Sequence, residues 1–204
     1  MNLRFVLKNY QHWLRRLAHR GEGGRISIGE YTYGAPRIRW WGEPANLSIG
    51  KYCSIADGVE IFLGGNHRTD WISTYPFPVF REWREARTVT GHPSTKGDVT
   101  IGNDVWLGAG SVILSGITIG NGAVVGCRSV VTKDIPDYAI VTGNPATIVR
   151  MRFQPDQVNR LLQCAWWNWC PSRVRKNVRK ILSTDVEGFL QAGAPGPETL
   201  DQKS

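Results

Sequence analysis

The sequence has no long apolar run. No stretch approaches the roughly 18 uncharged apolar residues of a membrane span, so no transmembrane helix is expected. Residues 1–20 contain neither a continuous apolar segment nor a small-residue cleavage site, so we expect no signal peptide. With 41% hydrophobic and 21% charged residues, the chain of 204 residues has the composition of a soluble globular protein.

Cysteine is scarce, and the few cysteines do not form a recognisable redox or zinc motif. None of them lies in a C-x-x-C pair, so neither a thioredoxin-like site nor a zinc ribbon is indicated. Free thiols in a reducing cytosol are the simplest interpretation, and we expect a cytoplasmic protein. The four cysteines are Cys53, Cys127, Cys164 and Cys170.

Motifs for nucleotides and nucleic acids are also missing. The chain has no P-loop and no G-x-G-x-x-G context, which excludes the usual sites for nucleoside triphosphates and NAD. The net charge of +8 is not accompanied by a nucleic-acid-binding motif, so nucleic acid is not an expected partner. An anionic cofactor or an anionic membrane surface agrees better with the basic ends of the chain.

The N-terminal segment, residues 1–20, carries part of that charge. Apolar residues recur at helical spacing from Leu3 to Leu17, with Arg and Lys between them and no acidic residue. This pattern predicts a basic amphipathic helix. Its apolar stripe either packs on the rest of the protein or lies on anionic lipid, so peripheral membrane contact through residues 1–20 is an open alternative.

A six-residue period organises residues 101–136. Cut every six residues, the stretch reads IGNDVW, LGAGSV, ILSGIT, IGNGAV, VGCRSV and VTKDIP. Each hexad opens on an aliphatic residue, its fifth place is small or aliphatic, and Gly, Asn and Asp crowd the turns between. The opening residues are Ile101, Leu107, Ile113, Ile119, Val125 and Val131.

Hexapeptide repeats of this kind build parallel β-helices, in which one hexad is one short strand and one turn. Three hexads form a triangular coil, and coils stack about 4.8 Å apart with the opening aliphatics in an internal column. The sequence therefore predicts a mainly β fold, with the β-helix over residues 25–149.

The repeat is interrupted once. It stops at Asn66 and resumes near residue 99, leaving an inserted loop at about 67–98 that is rich in aromatic residues and proline. A long excursion from a rigid scaffold is commonly a functional loop. The turn at residues 143–146 is expected to end the prism. Beyond the β-helix, residues 150–192 are predicted to be helical, with a break or kink at Pro171, and residues 193–204 to be a disordered tail.

Six segments of this chain together resemble the xenobiotic acetyltransferases, the hexapeptide-repeat enzymes that acetylate chloramphenicol and streptogramin A. The resemblance runs from about residue 28 to residue 190. It implies a left-handed β-helix, a homotrimer, an acetyl-CoA co-substrate without a metal, and antibiotic resistance. The segments are 62–71 (FLGGNHRTDW), 75–77 (YPF), 103–106 (NDVW), 131–136 (VTKDIP), 143–146 (GNPA) and 166–169 (WWNW).

His67 is the candidate catalytic residue. Transfer of an acetyl group from a thioester to an alcohol needs a base for the hydroxyl proton, and the same group can then protonate the departing thiolate. Imidazole suits both steps near neutral pH. His67 lies where the coil passes into the inserted loop, whereas His92 matches no motif and is expected to be a loop residue.

The resemblance also implies the binding residues. Trp106 occupies an outward-facing place in its hexad and, with Tyr31 and Tyr33, resembles the acceptor-binding residues of the family. A backbone N–H between residues 106 and 109 is expected to stabilise the oxyanion. The residues that correspond to the acetyl-CoA site are Gly108, Ala109, Cys127, Thr132, Lys133 and Arg150.

Three alternatives remain at this stage. The first is an acetyltransferase for sugars or polysaccharides, which shares much of the pattern. The second is a non-catalytic trimeric scaffold. The third, a γ-class carbonic anhydrase on the same fold, would need three histidines per metal, and only His67 and His92 lie outside the N-terminal segment.

Overall fold

The computed structural model describes residues 26–193. The predicted helix at 1–20 lies outside these residues, as does the predicted tail at 193–204 except for Gly193. The chain divides into two compact units, and the boundary between them lies between Arg152 and Phe153. Within the described range, no helix has the length and apolarity that crossing a membrane requires.

In the described part of the first unit, thirteen strands form three sheets. The first sheet contains β1 (Ile26–Ile28), β3 (Leu47–Ile49), β6 (Val99–Ile101) and β9 (Thr118–Ile119). The second sheet contains β4 (Ser54–Ile55), β7 (Trp106–Leu107), β10 (Val124–Val125), β12 (Ala139–Gly143) and β13 (Ala146–Met151). The third sheet contains β2 (Arg37–Arg39), β5 (Glu60–Phe62), β8 (Val112–Ile113) and β11 (Val130–Val131).

Successive strands from β3 to β11 visit the three sheets in turn, which makes the unit a three-sided parallel β-helix. Thr100 pairs with Thr118 and Trp106 with Val124, each partner lying 18 residues further along the chain. The prediction that three hexads make one coil is therefore confirmed, because 18 residues return the chain to the same face.

The interior is the predicted aliphatic column. The six residues that open the hexads are all at most 1% exposed, so the prediction of an internal column is confirmed. Cys53 occupies the same kind of inward place and is fully buried, and burial raises the pKa of its thiol to about 11. A thiol in this state is a small apolar filler rather than a nucleophile.

The last coil ends differently from the expectation. The sequence predicts that the turn at residues 143–146 ends the prism, but the chain turns back there and β13 pairs antiparallel with β12. The β structure therefore reaches Met151, two residues beyond the predicted boundary at 149. Arg152 then donates to the carbonyl oxygen of Gly122 at 2.7 Å and lies 3.4 Å from the Asp104 carboxylate, which ties the end of the strand to earlier coils.

The second unit is helical. It contains α1 (Pro155–Cys164), α2 (Pro171–Ile181) and α3 (Val186–Gly193). Pro171 is the first residue of α2, where its missing N–H and fixed φ are tolerated, so it separates α1 from α2 as the sequence indicates. An ion pair between Arg160 and Glu187 at 2.8 Å joins α1 to α3.

Candidate active site

The inserted loop is closed at its base by backbone hydrogen bonds. The N–H of Asn66 donates to the carbonyl of Ser94, and the N–H of Ser94 donates to the carbonyl of Asn66, both at 2.9 Å. The Asn66 side chain also donates to the hydroxyl of Ser115, which follows β8, at 3.0 Å. The residue directly before His67 is thus held on the β-helix from two sides.

His67 is exposed, and one of its ring nitrogens is fixed. Its Nδ1 lies 2.7 Å from the carbonyl oxygen of Thr74. A carbonyl oxygen only accepts, so Nδ1 must carry the proton, and in the neutral ring Nε2 is left as the acceptor. The loop therefore presents the basic nitrogen of His67 outward.

His92 is the neighbour that sequence reasoning missed. Its ring meets the His67 ring edge to face, with centroids 4.5 Å apart. Burial lowers the pKa of His92, the charge of His67 lowers it further, and the Glu43 carboxylate acts in the opposite direction. His92 lies in the inserted loop, as expected, and the fold packs its ring against that of the candidate base. The sequence around His92 contains no motif that could have indicated the contact with His67.

The turn before His67 rests on Glu43, a buried carboxylate between β2 and β3. Its Oε2 accepts the N–H of Trp41 at 3.0 Å, and its Oε1 accepts the N–H of Gly65 in a short hydrogen bond. A Cβ on Gly64 would overlap the Glu43 carboxyl group, and Gly65 has a φ of +78°. Both glycines of the GGNH sequence are thereby explained by packing.

Glu43 and His92 also line one open cleft of about 430 Å³ beside the loop base. Trp41, which is half exposed, forms another part of its lining and stacks on Phe62 at 6.1 Å between ring centroids. The volume is within the range of small-molecule sites. This cleft was not predicted, because its residues come from segments almost 50 positions apart.

Arg68 and Asp70, which follow the histidine in the GGNHRTDW segment, pair with each other. The Nε of Arg68 donates to the Asp70 carboxylate at 2.7 Å, and the guanidinium lies over the Trp71 ring. This hydrogen bond is the largest cause that lowers the pKa of Asp70 to about 2. Asp70 is therefore a carboxylate that orders the loop, rather than a proton donor at neutral pH.

The candidate acceptor residues lie on the outer surface of the second sheet. Trp106 is 55% exposed, in register with Ser54 on one side and Val124 on the other, and Ser54 is bridged to Tyr33. Tyr33 and Trp106 thus flank a small serine on one outward row. Tyr31 instead stacks on Tyr52 at 4.8 Å, a partner that the sequence reasoning did not single out.

The candidate donor residues are spread over two places. Ala109 and Cys127 are exposed near the corner between the second and third sheets, where Arg128 donates its N–H to the Ala109 carbonyl at 2.8 Å. Thr132 and Lys133 line a cleft of about 290 Å³ against residues 145–148.

Gly108 and Arg150, the two remaining candidate donor residues, lie apart from the cleft of Lys133. Gly108 is packed under the next coil, and Arg150 is exposed on β13 without lining the cleft of Lys133. Among the described residues, no ring contact or hydrogen bond joins Trp106 to His67. Residues 26–193 also contain no group of three metal-ligating side chains.

The expected oxyanion donors can be separated by their hydrogen bonds. The N–H of Trp106 donates to the carbonyl of Ala123 at 3.0 Å, and that of Gly108 donates to Val125 at 2.8 Å. Both are used by the β-helix itself, so they are wrong as candidates. The N–H of Ala109 has no such partner among the described residues.

Comparison with known families agrees with the repeat. A model described as "Bacterial transferase hexapeptide (six repeats)" matches residues 98–133. A chloramphenicol acetyltransferase of Agrobacterium fabrum (strain C58) is 44% identical over 147 residues, which cover 71% of this chain and 70% of the relative. A virginiamycin A acetyltransferase of Staphylococcus aureus is 40% identical over 143 residues, covering 69% and 65%.

Among solved structures, the hexapeptide-repeat acetyltransferase VCA0836 of Vibrio cholerae has a TM-score of 0.51 at 23% identity. The match covers 73% of this chain and 82% of that one. At this level of identity, the similarity concerns the fold. It supports the parallel, mainly β architecture described above.

Proposed function

The chain belongs to the hexapeptide-repeat acetyltransferases that include chloramphenicol acetyltransferases, and we propose that it transfers the acetyl group of acetyl-CoA to a hydroxyl of an antibiotic. Chloramphenicol and a streptogramin A are the first candidates. The chloramphenicol acetyltransferase and the virginiamycin A acetyltransferase named above are about 40% identical to this chain over two thirds of its length. The single observation that carries the proposal is the exposed His67 with Nδ1 held by Thr74.

In the proposed reaction, Nε2 of His67 takes the proton of the acceptor hydroxyl as its oxygen attacks the thioester carbonyl. A tetrahedral oxyanion forms, the C–S bond breaks, and the thiolate takes the proton back from the imidazolium to leave CoA and the acetyl ester. The Ala109 N–H is our candidate for the oxyanion donor. The hydrogen bond to Thr74 supports this cycle, since it keeps the same nitrogen exposed throughout.

The acceptor is proposed to contact Tyr31, Tyr33 and Trp106. The row of Tyr33, Ser54 and Trp106 supports this assignment, because two aromatic side chains on alternate strands leave room for a flat group over the serine. Strands are about 4.8 Å apart, so the two rings are separated by roughly 10 Å.

The assembly is proposed to be a homotrimer of left-handed β-helices. In this arrangement a neighbouring subunit would complete the groove that holds the pantetheine arm against Gly108, Ala109 and Cys127. Such a shared wall explains why no described contact joins Trp106 to His67 within one chain. A cytoplasmic location, which would supply acetyl-CoA, is part of the same proposal.

Sedimentation velocity of the full-length protein is expected to give the mass of a trimer, with activity confined to that species. Hydrophobic contact between flat prism faces is the physical reason. If a stable monomer acetylates the acceptor at the full rate, the shared donor groove is incorrect.

Neutralising Lys133 or Arg150 is expected to raise the KM for acetyl-CoA by roughly tenfold or more, because a charge-assisted contact to phosphate contributes about 1.5–3 kcal/mol. The position of Lys133 in a cleft supports its inclusion. Steady-state kinetics of Lys133→Ala and Arg150→Ala with acetyl-CoA provide the measurement.

The matched comparison is an acetyl-pantetheine donor that lacks the CoA phosphates, with which the two variants should lose much less. Arg179→Ala and Lys180→Ala, in the last turn of α2, are the control variants and should leave KM near the wild-type value. An equal loss with the truncated donor would mean that Lys133 and Arg150 support the structure rather than the cofactor.

The acceptor is tested by following acetyl-CoA consumption with chloramphenicol, a streptogramin A and a panel of sugars. We expect turnover with an antibiotic and little with sugars. Turnover with a sugar alone would favour the saccharide acetyltransferase, and no transfer to any acceptor would favour the non-catalytic scaffold.

A further inference from the structure

Glu43 stands out among the charged residues of the first unit because it is only 5% exposed and lies beneath the turn that leads to His67. The Oε atoms accept backbone N–H groups from two different segments, Trp41 and Gly65. A carboxylate satisfies both donors at once, whereas a glutamine has one oxygen and an NH₂ group that would face the second N–H.

The position of the turn depends on this carboxylate. The Glu43 carboxyl group fills the space where a side chain on Gly64 would lie, so Gly64, Gly65 and Glu43 form one packed unit. Gly65 is two residues before His67, and Asn66 between them is bonded to Ser94 and Ser115. Movement of the carboxylate would therefore shift the backbone that presents the histidine.

Glu43 also contributes charge. His92 lies within reach of its field, and the His92 ring touches that of His67. Arg68 and Asp70, the charged residues that follow His67, pair with each other. Glu43 is thus a buried carboxylate that lines the same cleft as His92 and acts on its charge.

We propose that Glu43 is a positioning residue for the acetyl transfer: its buried carboxylate holds the turn at Gly64 and Gly65 in place and favours positive charge on His92, whose ring packs against that of His67. The inference rests on the proposed role of His67 as the base. It assigns to Glu43 an effect on kcat and on the titration of His92, and none on the binding of acetyl-CoA.

The test compares Glu43→Gln with wild type. We expect kcat to fall by about tenfold, since the charge-assisted hydrogen bond to the Gly65 N–H is lost, while the KM for acetyl-CoA stays unchanged. Without the negative charge of Glu43, the protonated form of His92 is less favoured. The NMR titration of His92 should accordingly move to lower pH.

Glu43→Asp separates charge from reach. It keeps the carboxylate but draws it back by one methylene, so we expect His92 to titrate at the wild-type pH while kcat falls. Glu60→Gln is the matched control: Glu60 is a carboxylate on β5 that pairs with Arg39 on the outside of the coil, and its replacement should change neither kcat nor the titration of His92.

Wild-type kcat with an unshifted His92 titration in Glu43→Gln would overturn the proposal, as would equal losses of kcat in both Glu43 variants with an unshifted His92 titration. If Glu43→Gln does not fold, Glu43→Asp decides, and wild-type kcat in that variant overturns the proposal. A failure of His67 itself is recognised separately, because removal of its imidazole would then leave turnover intact whatever Glu43 does.

Discussion

Replacement of His67 by alanine is expected to lower kcat by roughly two to four orders of magnitude, the usual contribution of a positioned general base. The loss follows from the geometry of the ring, in which Thr74 holds Nδ1 and leaves Nε2 to accept the proton of the hydroxyl. Acetyl-CoA affinity should change little, since the imidazole is not proposed to contact the phosphates. Pre-steady-state turnover and calorimetric binding of CoA measure the two quantities independently.

His67→Gln is the matched variant for this experiment. Its side-chain amide can still donate to the Thr74 carbonyl, but it has no basic nitrogen. We expect it to be as inactive as the alanine variant. Activity restored by glutamine would show that His67 orders the loop instead of moving a proton, and near-wild-type turnover in the alanine variant would remove His67 from the mechanism altogether.

Replacement of Gly108 by alanine is expected to lower the free energy of unfolding by roughly 1–3 kcal/mol, as overpacking of a rigid interior does. A Cβ at this position would lie 2.6 Å from the backbone nitrogen of Cys127 and 2.7 Å from the carbonyl oxygen of Val125. Both atoms belong to the next coil, which cannot move away without breaking its own ladder. Thermal or denaturant unfolding provides the measurement.

Gly126→Ala is the control, because Gly126 occupies the same place one coil further on. The nearest atoms to its added Cβ would be those of the Thr142 side chain at 3.1 Å, a looser approach than the 2.6 Å to backbone at Gly108. Its effect on stability should be clearly smaller. Equal stability of the Gly108 variant and wild type would contradict the packing explanation and return Gly108 to a role in donor binding alone.

His67 and Gly108 show which parts of the candidate active site the sequence could predict. His67 was predicted because the GGNHRTDW segment is a local motif at the end of a coil. Gly108 was assigned to the cofactor by resemblance, whereas its neighbours in the next coil supply a sufficient structural reason for glycine. The sequence does not distinguish these reasons, because each produces the same residue.

The sequence also does not distinguish the surroundings of Lys133 from those of Arg150 in the candidate donor site. Both were predicted from segments that resemble the family, but only Lys133 lines a cleft in the described chain. The reason is the antiparallel return of β13, which the sequence reasoning interpreted as the end of the prism. β13 is an edge strand that forms by pairing with β12, and it is not part of the hexapeptide repeat, so the period does not predict it.

The sequence by itself determined the β-helix, its coil length and its buried column. Each hexad pairs with another hexad of the same pattern 18 residues away, so a local period is sufficient to specify contacts throughout the core. The tertiary structure alone decided the surroundings of His67. His92, 25 residues later, contacts its ring, and Glu43, 24 residues earlier, holds the turn that precedes it, without any period to relate them. Closure of the inserted loop at Asn66 and Ser94 brings them together, because contacts between non-repeating segments are set by where the chain crosses itself in space.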